Sequence, residues 1–287
     1  MKITAFLLCL VLLLGAFSGC SGQTPVAQVA ATTLPVYEFT VRLCEGTGIA
    51  VTRLITEQVS CLHDYSLKTE QMRAIEGAQL IVINGGGLED FMEDILADKQ
   101  IVDSSKNMDL SCSAHEHEGH THHHDPHFWL SPVHAKEMVH NIALGLMDSF
   151  PEHYDAFAIN EEILFKELDA LDRYGKEQLA GISSRKLITF HDGFSYFAES
   201  FDLEILRSVE EESGSEASAQ ELIELIKLVE NEHLPAIFVE RSGSTSAAEI
   251  IAAETGAKIY TLDMAMASDS YFTAMHHNIN TLKGALG

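Results

Sequence analysis

The amino-acid sequence predicts an α/β protein with two lobes, each built on a roughly four-stranded parallel sheet, joined by one long linker helix. Short apolar runs alternate with helical patterns twice along the chain, once before residue 104 and again after residue 185. The strands are apolar throughout, which is typical of parallel sheets covered by helices on both faces. One uninterrupted helical pattern lies between the two series, at residues 152–180.

The first series contains strand signals at residues 26–32, 49–55, 80–84 and 101–103, and helix signals at residues 36–44, 68–77 and 88–97. Three glycines, Gly85–Gly87, follow the third strand. No Gly-Lys-Ser/Thr sequence follows them, so a phosphate-binding loop is not predicted. A tight turn from strand to helix is the simpler interpretation.

Two long helices are predicted between the two series of strands. The first spans Pro132–Ser149, with Ser131 as its N-cap and a proline in its first turn. The second spans Glu152–Ala180 and would be roughly 40 Å long at 1.5 Å per residue. We expect Gly175 to be a point at which it bends. Apolar residues recur along this helix as one stripe: Ile159, Ile163, Leu164, Leu168, Leu171 and Leu179.

The second series repeats the alternation of the first. Strands are predicted at residues 186–190, 203–209, 236–240 and 257–262, and helices at residues 193–200, 217–231, 245–255 and 269–285. The chain therefore divides into an N-terminal lobe at 28–150, a linker helix at 151–181 and a C-terminal lobe at 182–287.

The first residues carry the features of an export signal. Lys2 is followed by an apolar run at residues 5–17 that is too short to span a bilayer, and small residues then lead to Cys20. The Ser-Gly-Cys ending resembles a bacterial lipobox, so we expect residues 1–20 to be a lipoprotein signal peptide and Cys20 to be lipidated. An ordinary signal peptide is the alternative. Residues 21–27 then form a flexible tether. The mature chain is expected to be anchored to the cell membrane, facing the periplasm or the cell exterior.

Charge and cysteine content exclude several classes of protein. The formal net charge of −25 argues against nucleic-acid partners, whose phosphates would be repelled. No CxxC pair occurs, which excludes thiolate zinc modules. Outside the signal, Cys44, Cys61 and Cys112 allow at most one disulfide within a monomer. The sequence does not decide the pairing, and we favour Cys44–Cys61 because it closes a short loop.

Polar side chains that suit a metal ion stand just beyond the predicted strands. In open parallel sheets, ligands bind beyond the carboxyl ends of the strands. The candidates at such points are His63, His127, His191, Glu240 and Asp263. Three imidazoles and one carboxylate suit tetrahedral Zn²⁺, whereas Mn²⁺ favours more oxygen ligands. A closed shell leaves no position for a catalytic water, which favours metal capture over catalysis.

Each candidate also has a simpler interpretation. A single loop histidine is more often a surface or capping residue than a ligand. Asp263 can cap the turn after its strand, and Glu240 can pair with Arg241. The shared placement at strand ends in both series nevertheless favours one joint site. A serine hydrolase is not predicted, because no Gly-x-Ser-x-Gly sequence occurs.

Six sequence segments occur in an order that resembles one protein family: HDYSL, DPHFWLSP, TFHDGFSYFA, the strand ending in Glu240, ETGAKIYTLD and the final helix. The family is the metal-specific class of solute-binding lipoproteins that supply ABC importers of zinc or manganese. The resemblance implies two α/β lobes on a fairly rigid helix with the metal between them. It also implies imidazole ligands at His63, His127 and His191, and a carboxylate ligand at Asp263. Met264 stands where the family often has proline, and Glu240 is the second choice for the carboxylate.

A histidine-rich loop at residues 113–126 precedes His127. Such an insertion resembles the zinc members of the family and is usually absent from the manganese members. Its remaining histidines are not needed for a four-ligand shell: His115, His117, His120, His122, His123 and His124. We expect them to collect zinc near the cleft when zinc is scarce. An inert solvated loop is the alternative.

The sequence therefore predicts a receptor that captures Zn²⁺ outside the cytoplasmic membrane and delivers it to an ABC permease and its ATPase. We expect a monomer with no enzymatic activity. A manganese-binding member of the same family is the first alternative. A zinc hydrolase, with Glu240 as its base, and a metal-dependent adhesion module are the others.

Overall fold

A computed structural model of the chain describes residues 27–57, 62, 65–110, 125–209, 217–241, 243–266 and 268–287. Within these ranges, two four-stranded parallel sheets lie on either side of one long helix, which confirms the predicted architecture. Several predicted features lie outside the described residues: the signal peptide with Cys20, Cys61, His63, Cys112 and the six histidines at positions 115–124.

The first sheet has the strand order β2-β1-β3-β4, and all neighbouring strands are parallel. Its strands are β1 (Val29–Ala31), β2 (Val51–Arg53), β3 (Leu80–Ile83) and β4 (Ile101–Asp103). Helices α1 (Leu34–Leu43), α2 (Thr69–Gly77) and the single-turn α3 (Glu93–Leu96) accompany them. The helix predicted at 88–97 is therefore shorter than expected. Gly85–Gly87 all have positive φ, which is not helical, so the turn after β3 is longer than predicted. A 3₁₀ turn at Asp90–Met92 then precedes α3.

Helix α4 (Pro132–Ser149) has the predicted bounds, and the Ser131 hydroxyl accepts a hydrogen bond from the backbone N of His134 as its cap. Helix α5 (Tyr154–Leu179) is the long linker helix. Its buried face differs from the predicted stripe, because Ile159 and Ile163 are 60% and 44% exposed. They lie on the side of α5 that faces solvent, while the face packed against the protein contains Phe157, Leu164, Leu168, Leu171, Gly175 and Leu179.

Gly175 of α5 has a packing role. A Cβ at this position would lie 2.2 Å from Cε1 of Phe201. Only glycine therefore lets the aromatic ring of the second lobe approach the helix backbone this closely.

The second sheet repeats the topology of the first, with the strand order β6-β5-β7-β8 and parallel neighbours throughout. Its strands are β5 (Lys186–Thr189), β6 (Glu204–Ser208), β7 (Ala236–Glu240) and β8 (Lys258–Leu262). Its helices are α6 (Ser195–Ser200), α7 (Ala219–Asn231), α8 (Ser246–Thr255) and α9 (Tyr271–Leu286).

One hydrophobic core runs through both lobes and the linker helix. It contains Phe39 of α1, Trp129, Leu168 of α5, Phe197 of α6 and Tyr271 of α9, and each of these is fully or almost fully buried. A second, smaller cluster lies wholly within the second lobe, between its sheet and helices α7 and α8. The lobes are therefore packed together as well as connected by α5.

Hydrogen bonds between the lobes accompany this shared core. The indole Nε1 of Trp129 donates to the backbone O of Met264 at 2.7 Å, and the Tyr271 hydroxyl donates to the backbone O of Trp129 at 2.9 Å. Tyr196 donates to the backbone O of Leu110 at 2.8 Å. The Trp129–Met264 bond fastens the segment after residue 127 to the loop after β8, and the Tyr271–Trp129 bond fastens the same segment to α9.

The favoured Cys44–Cys61 disulfide stays a prediction, because Cys61 lies outside the described residues; within them, Cys44 is a free cysteine. Its side chain follows α1 into the hydrophobic core and is 5% exposed. Burial raises the pKa of the Cys44 thiol to about 12. Among the helices of the described ranges, none has the length and apolar character needed to cross a bilayer.

Candidate metal centre

The site candidates lie where the strand order of each sheet changes direction. In the second sheet this point is between β5 and β7: His191 follows β5 after one residue, and Glu240 is the last residue of β7. In the first sheet it is between β1 and β3, and Asn84 follows β3 there. The crevice at such a point is where open parallel sheets bind ligands.

The segment that carries His127 is fixed to the end of β3. The Asn84 side-chain amide donates to the backbone O of Pro126 at 3.2 Å and to that of Gly85 at 3.1 Å. The Ser104 hydroxyl in turn donates to the backbone O of Asn84 at 2.6 Å. The position of the His127 backbone is therefore set by hydrogen bonds that involve no metal.

The glycine turn makes room for this segment. Gly86 has φ 65°, and a Cβ there would lie 3.0 Å from Cε1 of Phe128. At Gly85 a Cβ would lie 1.9 Å from Oδ1 of Asp103. Positive φ and close approach both require glycine, so the turn serves the neighbouring His127 segment, and the phosphate-loop interpretation is not needed.

The imidazoles of His127 and His191 face each other across the junction of the lobes. Their Nε2 atoms are 3.3 Å apart, and each residue is 6% exposed. Two ligands of one tetrahedral Zn²⁺, each at 2.0–2.1 Å from the ion, would be separated by about 3.3–3.4 Å. The observed separation therefore fits one edge of a tetrahedral zinc shell.

A carboxylate lies behind each imidazole. Oδ1 of Asp125 is 2.8 Å from Nδ1 of His127, and Oε2 of Glu240 is 3.5 Å from Nδ1 of His191. An imidazole that donates through Nδ1 to a carboxylate presents the lone pair of Nε2 to a metal. Both histidines thus have a group on the side away from the cleft that orients the ring.

Burial lowers the pKa of His191 to about 3, and the positive charge that His127 carries when protonated acts in the same direction. A neutral imidazole is the form that binds a metal. His191 is therefore held in its binding form at neutral pH before any metal arrives.

Gly193 keeps the space beside both imidazoles free. A Cβ at this position would lie 2.6 Å from Cε of Met264, 2.8 Å from Cδ2 of His191 and 2.9 Å from Cγ of His127. Any larger residue would displace at least one ring. The same distances place the Met264 side chain, which follows Asp263 in the sequence, next to the histidine pair.

The Asp263 carboxylate is buried and already has several partners. Oδ1 accepts from the backbone N of Ala265 at 2.8 Å, while Oδ2 is 2.9 Å from Nε of Arg241 and accepts from the Ser268 hydroxyl. A carboxylate offers about four lone-pair directions, so these three partners leave one on Oδ1. The simpler interpretation of Glu240 was an ion pair with Arg241; the structure pairs Arg241 with Asp263.

Of the four predicted ligands, the structure brings two together, places one in a neighbouring loop and does not describe the fourth. His127 and His191 are adjacent, Glu240 stands behind His191, and Asp263 lies in the neighbouring loop. His63 is outside the described residues. In the part of the chain that is described, no three His, Cys, Asp or Glu side chains converge as a metal-binding group.

Sequence reasoning missed the residues that support the pair. Asn84, Asp125, Trp129 and Gly193 were not singled out, although all four contact the imidazoles or the segments that carry them. Asp125 had one usable signal, since an aspartate two residues before a candidate ligand can hydrogen-bond it locally.

The two-lobed fold, with imidazoles facing each other between the lobes, is that of a metal-binding protein of the solute-binding class. Residues 29–285 match the family described as the periplasmic component A of the zinc-uptake complex (ZnuA), and the chain belongs to this family. The family consists of solute-binding proteins rather than enzymes, so the hydrolase alternative is wrong.

Similar proteins bind metals. A putative metal-binding protein of Treponema pallidum (strain Nichols) is 29% identical over 289 residues, with 92% of this chain and 90% of the relative covered. The zinc-binding lipoprotein AdcA of Streptococcus pneumoniae serotype 4 (strain ATCC BAA-334 / TIGR4) is 28% identical over 288 residues, with 92% of this chain covered, and the chain spans 57% of the length of AdcA. A crystal structure of ZnuA has a TM-score of 0.80 and 27% identity, with 91% of this chain and 100% of that chain covered.

Proposed function

We propose that this chain captures Zn²⁺ between its two lobes and delivers it to a membrane permease. The observation that carries the proposal is the 3.3 Å separation of the facing Nε2 atoms of His127 and His191. Buried, neutral imidazoles at this spacing suit the tetrahedral shell of zinc.

His63, His127 and His191 are the proposed imidazole ligands, and Asp263 is the proposed fourth ligand. The remaining lone pair on Oδ1 of Asp263 would bind the ion, while Arg241 and Ser268 hold Oδ2. Glu240 is better suited to orienting His191, because its Oε2 lies 3.5 Å from Nδ1 on the side away from His127.

The ligand set favours Zn²⁺ over Mn²⁺. Three imidazoles form a nitrogen-rich site, whereas manganese prefers a larger shell of oxygen ligands. Three partners already hold Asp263, so it can supply at most one further oxygen. We expect zinc to bind at least about tenfold more tightly than manganese.

The cellular setting follows from the family. This family is the periplasmic component of a zinc-uptake complex. We propose an ABC permease and its ATPase as partners, a monomeric receptor, and attachment to the membrane through a lipid on Cys20. The histidines of the loop at 113–126 would collect zinc beside the cleft through weak, rapidly exchanging sites.

Calorimetric titration with zinc and then manganese tests the proposal, on protein that lacks residues 1–20. We expect one tight zinc site, with an affinity at least about 100-fold lower in His191→Ala. His140→Ala is the matched control, because His140 lies on α4 with a 54% exposed side chain. An affinity in His191→Ala equal to that of the unmodified protein would contradict the proposed site.

Deletion of residues 115–124 tests the role of the loop. The tight site should survive the deletion, while the weaker additional sites should disappear. Loss of all zinc binding would mean that the loop itself is the site.

A further inference from the structure

Asp125 contacts both the backbone and the ring of His127. Its Oδ1 accepts a hydrogen bond from the backbone N of His127 at 2.9 Å and lies 2.8 Å from Nδ1 of the same residue. The side chain of Asp125 is 8% exposed. One oxygen of Asp125 thus fixes both the backbone position of His127 and the rotation of its imidazole ring.

We propose that Asp125 is a positioning residue that holds His127 in the tautomer with hydrogen on Nδ1 and so keeps the Nε2 lone pair directed at the metal. This inference rests on the proposed function. A neutral imidazole has one donor and one acceptor nitrogen, so donation from Nδ1 leaves Nε2 as the ligand atom. A carboxylate partner also makes the imidazole a stronger ligand.

The turn that carries Asp125 is anchored independently of the ring. Asn84 donates to the backbone O of Pro126, which lies between Asp125 and His127. Glu89 accepts hydrogen bonds from the backbone N of Asn84 at 2.8 Å and from that of Gly85 at 2.9 Å. Asp125 therefore acts from a rigid support at the end of β3, and the ring geometry exists before the metal binds.

The burial of Asp125 is easier to explain by metal binding than by folding. A hydrogen bond from the backbone N of His127 alone is an ordinary Asx turn, which a more exposed aspartate could make equally well. Oδ2 of Asp125 is buried and has no hydrogen-bond partner among the described residues. Burial of an unsatisfied carboxylate oxygen opposes folding. The role of Asp125 in orienting the His127 ring explains why a carboxylate is buried at this position despite that cost.

The two imidazoles are not held equally. The contact from Asp125 to His127 is a hydrogen bond of 2.8 Å, whereas Glu240 and His191 are 3.5 Å apart. His127 is consequently the fixed ligand, and the His191 ring has more freedom to adjust when zinc enters.

The test measures zinc affinity and the tautomer of His127 in three variants. Asp125→Ala removes the acceptor, and Asp125→Asn keeps an acceptor oxygen without the charge. Glu161→Ala is the matched control, because Oε1 of Glu161 lies 2.7 Å from Nδ1 of His140 in a similar pair outside the cleft. The tautomer is read in the metal-free protein from imidazole ¹⁵N shifts, with the His127 signal assigned by its loss in His127→Gln.

Asp125→Ala should weaken zinc binding about 10–100-fold and move the hydrogen of His127 to Nε2. Asp125→Asn should keep the hydrogen on Nδ1 and lose less affinity, and Glu161→Ala should bind zinc as the unmodified protein does. Unchanged affinity and tautomer in Asp125→Ala would overturn the inference. If Asp125→Ala does not fold, Asp125→Leu takes its place, because leucine is close to aspartate in size and has no acceptor, and unaltered zinc affinity and tautomer there would overturn the inference equally. If the unmodified protein binds no zinc, the proposed function fails, while the tautomer still reports on Asp125.

Discussion

Glu38 of α1 accepts two hydrogen bonds from the N-terminus of α9, the helix that begins at Tyr271. Oε2 of Glu38 accepts from the backbone N of Tyr271 at 2.5 Å, and Oε1 accepts from the Ser270 hydroxyl at 3.1 Å. A carboxylate at a helix N-terminus satisfies free N–H groups and interacts favourably with the helix dipole. Glu38 therefore fastens α9 to the opposite lobe.

Glu38→Ala should lower the free energy of unfolding by about 2 kcal/mol, because it removes a charged acceptor from a partly buried helix end. Urea denaturation followed by circular dichroism measures this. Glu162→Ala serves as the control, since its ion pair with Lys166 is 70% and 71% exposed and should contribute little. Equal losses in the two variants would show that the contact between the lobes has no special role.

The shared core predicts that both lobes unfold in one transition. Trp129 is the only tryptophan of the chain and is buried between the lobes. Its fluorescence should therefore change at the same denaturant concentration as the far-ultraviolet circular dichroism of the whole chain. Two separated midpoints would contradict cooperative unfolding of the lobes.

Gly193→Ala should weaken zinc binding about tenfold or more. The added Cβ would lie 2.8 Å from the His191 ring and 2.9 Å from the His127 ring, so one ring must move. Calorimetry of the folded variant measures the effect. Gly284→Ala is the control, because its Cβ would meet nothing within 4 Å and alanine is the better helix former. Unaltered zinc affinity in Gly193→Ala would show that the rings tolerate displacement.

Glu89 should make the fold less stable as pH rises from about 4.5 to about 7. Burial raises the pKa of this carboxyl from its ordinary value of 4.5 to about 7, although hydrogen bonds from Thr32, Gly85 and Asn84 act in the opposite direction. Between these values the folded chain binds more protons than the unfolded chain, so stability falls as pH increases. The contribution is on the order of 3 kcal/mol at most.

Denaturation of Glu89→Gln across this pH range measures the contribution of Glu89. The variant should lose the part of the pH dependence that comes from Glu89, whereas Glu177→Gln, on the exposed side of α5, should retain it. A pH profile of Glu89→Gln that matches the unmodified protein would show that Glu89 does not titrate in this range.

Much of the fold was predictable because the inner strands β1, β3 and β7 are mostly apolar and buried. Helix α4 has the predicted bounds, since Ser131 and Pro132 mark its start by local chemistry. Ile159 and Ile163 were wrongly assigned to the buried face of α5. Helical spacing alone does not define the exposed side when apolar residues also occur there.

The site was predictable in part for a topological reason. Parallel strands place their carboxyl ends at one edge of a sheet, so the sequence positions of His191 and Glu240 predict that the two residues lie close together, as they do in the structure. The role of Asp125 was not predictable in the same way, because it depends on a ring rotation that brings Nδ1 of His127 to 2.8 Å from its Oδ1. The cysteine pairing stays a prediction, because Cys61 and Cys112 lie outside the described residues.

The buried Cys44 affects how the protein survives outside the cytoplasm. Oxidation and disulfide exchange proceed through the thiolate. With its pKa raised to about 12, Cys44 is a thiolate in roughly one molecule in 10⁵ at pH 7. The Cys44 thiol therefore reacts only slowly with oxidants and with other disulfides, which protects it in an oxidising environment.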